Sequence, residues 1–104
     1  MQPIELYSMA TSNGKKVAIA LEEMNLPYRA HTINILEGEQ LTDAFVQISP
    51  NGKIPAIVDP QGPDGKPIAL MESGAILLYL ANKSGQFLPE SAHQRAQAIQ
   101  WLFW

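Results

Sequence analysis

Two short stretches of this chain carry groups suited to holding a ligand. Lys53-Ile54-Pro55 puts a proline where a strand should begin. Proline has no N–H to give a ladder, so its place there needs a reason, the ordinary one being a trans bond on an edge strand; only about 5–6% of X-Pro bonds in folded proteins are cis. In the cis form, the Ile54 N–H and C=O would face outward as a free pair, a template for a short peptide in antiparallel pairing. Glu72-Ser73-Gly74 stands where a strand gives way to a helix. Ser73 reads as an ordinary N-cap, with Glu72 as the acid that suits the helix dipole. The same free amides and hydroxyl also suit a carboxylate, and Glu72 suits an ammonium group, so an amino-acid head group would satisfy both residues.

A third stretch, Thr11-Ser12-Asn13-Gly14, ends the first strand and opens the first helix. Ser12 and Asn13 are most simply helix caps. Thr11 offers a hydroxyl that can stabilise a thiolate on a bound thiol and so lower its pKa. The sulfur must come from a ligand, because the chain has no cysteine. His31 and His93 lie far apart with no evident acidic partner, so the pattern predicts no metal site and no catalytic triad. Tyr7 sits in a strand, where an aromatic is usually core.

The elements that must position these groups follow from periodicity. Ile4 to Tyr7 reads as a strand. Val17, Ala20, Leu21 and Met24 fall at i, i+3, i+4 and i+7 on one face of a helix that Asn25 and Pro27 close. Tyr28 to Ile35 reads as a second strand, completing a βαβ unit with parallel strands. Thr42 can cap a short helix to Ile48, with Phe45 and Ile48 turned inward, and Ser49-Pro50-Asn51-Gly52 breaks it. Ile54 to Asp59 and Ile68 to Met71 read as an antiparallel pair joined by a turn rich in Gly, Pro and Asp. A helix over Ser73 to Lys83 should end at Gly85 in the left-handed conformation. The order predicts an α/β, thioredoxin-like βαβ-α-ββα domain with a four-stranded mixed sheet. Ser91 then caps a last helix with Ala96, Ile99, Leu102 and Phe103 at helical spacing, and it closes on Trp101-Leu102-Phe103-Trp104. Such an apolar ending would be a sticky patch, so the expectation is a fragment of a longer protein.

The 104 residues suffice for one small domain with a core. Seven basic against ten acidic residues give a net charge of -3. No Lys/Arg stripe is present, which argues against nucleic acid as a partner. The start lacks the order of a signal peptide, and no apolar run approaches the roughly 20 residues of a membrane span. A cytoplasmic protein is the expectation.

Together, Thr11 to Val17, Ser49 to Ala56 and Glu72 to Leu80 resemble the three glutathione-site motifs of the glutathione transferases, over nearly the whole chain. Thr11-x-Asn13-Gly14 and the ending Gln100-Trp101-Leu102-Phe103-Trp104 are similar to the bacterial nu class and to the yeast nitrogen-regulator prion protein. The resemblance implies that Pro55 is the family's cis-proline and that Ile54 pairs with the cysteinyl unit of glutathione. It implies that Glu72 and Ser73 hold the γ-glutamyl end, that Lys53 and Gln40 approach the tripeptide, and that Thr11 and Asn13 face the sulfur. Ser12 departs from the proline expected between them. Residues 1–86 would be the glutathione-binding domain, and 87–104 a linker and the first helix of an all-helical second domain. The full protein would be a homodimeric glutathione transferase or disulfide reductase, with glutathione as co-substrate and a small electrophile or disulfide as its partner; the fragment alone would be nearly inactive. The rival reading is a non-catalytic glutathione-binding regulatory module.

Overall fold

A computed structural model describes residues 2–104. Strand β1 (Ile4–Ser8) leads into helix α1 (Ser12–Glu23), and strand β2 (Tyr28–Thr32) returns parallel to it. Two 3-10 turns and the short helix α2 (Asp43–Ile48) precede β3 (Ala56–Asp59) and β4 (Ile68–Met71). Helix α3 (Ser73–Ser84) and helix α4 (Ala92–Phe103) complete the chain. The sheet order is β2-β1-β3-β4; β1 pairs antiparallel with β3, and β3 with β4. This is the mixed four-stranded sheet that the sequence predicts.

Alternation explains how the sheet is covered. Ile4, Leu6 and Ile57 point to the face on which α1 and α3 lie, and there they meet Val17, Leu21, Met24, Ile76 and Leu80. Burying each large aliphatic side chain contributes about 1.5–3 kcal/mol. Glu5 and Tyr7 point to the other face. Tyr7 is only half-buried there, its ring stacked on His31 at 4.8 Å and tilted against Phe45 of α2 at 6.2 Å.

Boundaries differ from the periodicity reading where a partner runs out. β2 stops at Thr32 rather than Ile35, because the last pairing opportunity on β1 is Ser8, whose carbonyl accepts from the Ile33 amide at 2.9 Å. Asn34 then caps a 3-10 turn through its carboxamide oxygen, which accepts from the Leu36 amide. β3 begins at Ala56, two residues later than Ile54. Thr42 and Ser91 cap α2 and α4 as predicted, accepting from the amides of Phe45 and Gln94. Gly85 closes α3 at φ 68°, its amide donating to Ala81 O. On α4 the sheltered positions are Arg95, Ala98, Ile99 and Leu102, while Ala96 is exposed and Phe103 and Trp104 are 69% and 94% exposed.

A buried charge locks β3 to α3. Asp59, fully buried at the end of β3, accepts from Tyr79 Oη at 2.5 Å, Lys83 Nζ at 2.6 Å and the Gln61 amide at 2.9 Å. Burial pushes the carboxyl pKa up, but the bonds from Lys83, Tyr79 and Gln61 outweigh it and hold the pKa below the ordinary 3.8. Burial, followed by the Asp59 charge, pushes the Tyr79 phenol upward. A depressed carboxyl pKa stabilises the fold above the unfolded value, and that contribution is lost as pH falls through the folded value. Replacing Asp59→Ala strands a phenol and an ammonium group, so it should cost about 2–4 kcal/mol at neutral pH. In urea denaturation followed across pH, that deficit should shrink below about pH 4.

Candidate functional site

A cavity of about 160 Å³ opens where the ends of β3 and β4 meet the starts of α1 and α3. It is lined by Asn13, Lys53, Ile54, Pro55, Met71, Glu72 and Ser73. Six of these are candidate residues of the sequence analysis. They come from three separate stretches of chain, and the β3–β4 register brings two of the stretches together. Ala56 stands opposite Met71, so the residues just before β3 and just after β4 become neighbours.

Ile54 lies outside β3, and the Ile54–Pro55 peptide bond is cis. Among the described residues no hydrogen bond uses the Ile54 amide or carbonyl. The approach to this bond is set by Ser49. Its fully buried hydroxyl donates to Lys53 O at 2.8 Å and accepts from the Lys53 amide at 3.3 Å. Met71 Sδ lies 3.8 Å from the same oxygen, but a hydroxyl has one proton, and the carbonyl is the nearer and stronger acceptor. Gly52 turns the chain at φ 62°; a Cβ there would sit 3.2 Å from Gln40 O.

The start of α3 is open. Glu72 occupies the N-cap position with φ 73° and ψ 115° and makes no side-chain cap bond. This corrects the reading of Ser73 as the cap, for Ser73 is already the first helical residue. A positive φ is costly for a residue with a Cβ, and such conformations concentrate at binding sites. The first bond of the helix is Ile76 N–H to Glu72 O at 3.0 Å, so the amides of Ser73, Gly74 and Ala75 have no acceptor within the helix. Glu72 itself is exposed and lines the cavity together with Ser73.

At α1 the cap is Thr11, neither Ser12 nor Asn13. Thr11 is extended, at φ -106° and ψ 168°, and its Oγ1 accepts from the Gly14 amide at 3.1 Å. Only the residue flanking the helix can aim an oxygen at the third amide. Thr11 thus lies beside the cavity without lining it, and its hydroxyl proton remains to be donated. Asn13 lines the cavity, with Oδ1 accepting from Lys16 Nζ at 3.1 Å. Gln40 stands apart: its Oε1 is buried without a partner among the described residues, and the side chain is not in the cavity wall.

Sequence reasoning missed Ser49, which it read as a helix breaker, and Met71. No spacing rule marks a hydroxyl that will fold back on the carbonyl four residues later. It also missed the partner of His31. Across the parallel pair Glu5 accepts from Arg29 Nε at 3.0 Å and meets His31 Nε2 at 2.9 Å. The bond to His31 leads in holding the Glu5 pKa down. No cluster of three metal-ligating side chains exists among the described residues, and no helix there is long and apolar enough to cross a membrane. A larger hollow of about 360 Å³ between α1, α3 and α4 has walls such as Ile19, Leu77, Phe87 and Leu102, and holds none of the candidate residues.

Comparison with known proteins agrees with the fold. Residues 12–83 match the model of the glutathione S-transferase N-terminal domain. The disulfide-bond oxidoreductase YfcG of Escherichia coli K12 is 51% identical over 97% of this chain and 47% of its own length. The URE2 protein of Candida albicans is 36% identical over 98% of this chain and 32% of its own. A glutathione transferase family member from Pseudomonas fluorescens, solved with two glutathione bound, superposes with a TM-score of 0.94 at 55% identity, covering 96% of this chain and 44% of that one. The chain therefore spans less than half the length of these relatives.

The Ser49 clamp can be tested without any ligand. Ser49→Ala should lower stability by about 1–2 kcal/mol in urea denaturation. Hydrogen exchange at the Lys53 amide should accelerate, because the amide loses its acceptor.

Proposed function

Because this chain belongs to the glutathione S-transferase family, we propose that the cavity between Asn13, Ile54 and Ser73 binds glutathione and that the whole protein uses its thiol in transfer or disulfide reduction. One observation carries the reading: the Ile54 backbone, free of internal hydrogen bonds, shares a cavity wall with a helix start that has no side-chain cap and with the acidic residue Glu72. The first suits a peptide unit, and the second suits a head group with both a carboxylate and an ammonium.

The cysteinyl unit pairs its N–H and C=O with Ile54. The γ-glutamyl carboxylate accepts from the Ser73 hydroxyl and the first amides of α3, while its ammonium donates to Glu72. Lys53 approaches the glycine carboxylate from the cavity wall, and Gln40, outside that wall, flanks it beside Gly52. The sulfur then lies toward the start of α1, where the Asn13 carboxamide and the Thr11 hydroxyl donate to it and favour the thiolate. A thiol near pKa 8.5 is only a few per cent ionised at neutral pH, so lowering it by about one pH unit raises the thiolate severalfold.

These 104 residues bring no cysteine, and in the route proposed for the whole protein both electrons of a reduction come from glutathione. The thiolate attacks a disulfide, forming a mixed disulfide and releasing one thiolate. A second glutathione then attacks that mixed bond, yielding glutathione disulfide and a second thiol. The relatives support this route: YfcG bears the name disulfide-bond oxidoreductase, and the Pseudomonas fluorescens protein holds two glutathione molecules. Attack on a carbon electrophile uses the same thiolate and needs only one glutathione. Residues 1–86 would then be the glutathione domain, and 87–104 the linker and first helix of a helical region that would complete the substrate side and a homodimer.

A second reading, a binding module without turnover, draws on one fact. The Thr11 oxygen is already committed to the Gly14 amide and lies outside the cavity wall.

Glutathione titrated into isotopically labelled protein should shift the amide resonances of Ile54, Ser73 and Gly74; a folded protein that shows no shift rejects the site. Glu72→Ala should weaken binding about 10- to 150-fold, the worth of a charged hydrogen bond of about 1.5–3 kcal/mol, as read by calorimetry. Thr11→Ala should lower turnover and raise the bound thiol's pKa. Unchanged values for both would remove Thr11 from the mechanism.

A further inference from the structure

A helix N-terminus carries roughly half a positive charge and is stabilised by acidic neighbours. Helix α1 departs from this rule. Its first turn holds no acid, and Lys15 and Lys16 follow Gly14 directly. Two cations beside the positive end of a dipole destabilise the helix, and departures from local rules concentrate where a site needs them.

Lys16 has a definite partner. Its Nζ donates to Asn13 Oδ1 at 3.1 Å, one turn back along the helix. An ammonium group has three donors and no acceptor, so it must face the carboxamide oxygen and never the NH2. That fixes which end of the Asn13 amide is left over. Among the described residues no hydrogen bond uses Nδ2, so its two N–H groups are unspent on a residue that lines the cavity together with Ile54, Pro55 and Ser73. A carboxamide without this anchor would present a donor in one orientation and an oxygen lone pair in the other. Against a sulfur the two differ in sign: a donor favours the thiolate, an acceptor the thiol.

We propose that Lys16 is a positioning residue for the thiol chemistry, holding the Asn13 carboxamide so that its N–H groups meet the ligand sulfur and adding a positive charge that favours the thiolate. The inference rests on the glutathione reading given above. Lys16 touches neither the sulfur nor the tripeptide; it acts through Asn13 and through its field.

The test is the pKa of the bound thiol, read from the ultraviolet absorbance of the thiolate as pH is varied, alongside calorimetric binding of S-methylglutathione, which lacks the thiol. Lys16→Met should raise the thiol pKa by about 0.5 to 1 and cut the thiolate fraction near neutral pH about 3- to 10-fold, with S-methylglutathione binding changed less than about twofold. Lys16→Arg keeps the charge and the donor and should retain the wild-type pKa. A purely structural lysine would alter the melting temperature or S-methylglutathione affinity and leave the thiol pKa in place. An unchanged pKa in Lys16→Met, with S-methylglutathione still bound, overturns the role of Lys16 and leaves the glutathione site standing. A wild-type protein that binds neither ligand overturns both.

Discussion

The site depends on one register, Ala56 opposite Met71 in the β3–β4 pair. Side chains along a strand alternate in direction, so a slip of one residue would reverse every side chain of β4 and carry the chain beyond it to a different place. In the observed register the cis bond before β3 and the helix start after β4 share one cavity wall. The register is held from both ends. Asp59 ties the far end of β3 to α3 through Tyr79 and Lys83, and Ser49 ties the near end through the Lys53 backbone.

The starts of α1 and α3 both reach the cavity, Asn13 from one and Ser73 from the other. Each brings unpaired amides and the positive end of a dipole, an environment that favours anions. A helix start can be quieted by a side-chain cap, and the two differ in this respect. Thr11 caps α1, whereas α3 has only Glu72, in a backbone conformation uncommon for a residue with a Cβ. The more open start is therefore the one beside an acidic side chain. In the proposed site that combination would favour an amino-acid head group over a bare anion, because a lone carboxylate ligand would meet the Glu72 charge as well as the amides.

Much of this was legible from residue types. Proline before a strand and a hydroxyl residue at a strand-to-helix junction have restricted meanings, and three short motifs in order led to the family that residues 12–83 match. Helices were placed well because the 3.6-residue period of Val17, Leu21 and Met24 is a local property. Strand ends were placed less well: β2 stops at Thr32 because β1 ends at Ser8, a fact about the neighbour. Caps were misassigned at both helix starts for a related reason. Ser12, Asn13 and Ser73 all have capping chemistry, but the chain entering the helix decides which residue is extended enough to use it.

The sequence alone determined the chemistry available: no thiol in the chain, an acid and a hydroxyl side by side at positions 72 and 73, and a proline that cannot join a ladder. These are properties of residue identity and survive any fold. Only the tertiary structure decided which of those groups meet. It seated Asn13 in the cavity wall and left Thr11 and Gln40 outside it, gave Ser49 the task of shaping the loop before Pro55, and turned His31 toward Glu5. Contacts between residues distant in sequence depend on strand register and helix docking, which are set by burial summed over the whole core, and no local window of sequence contains that sum.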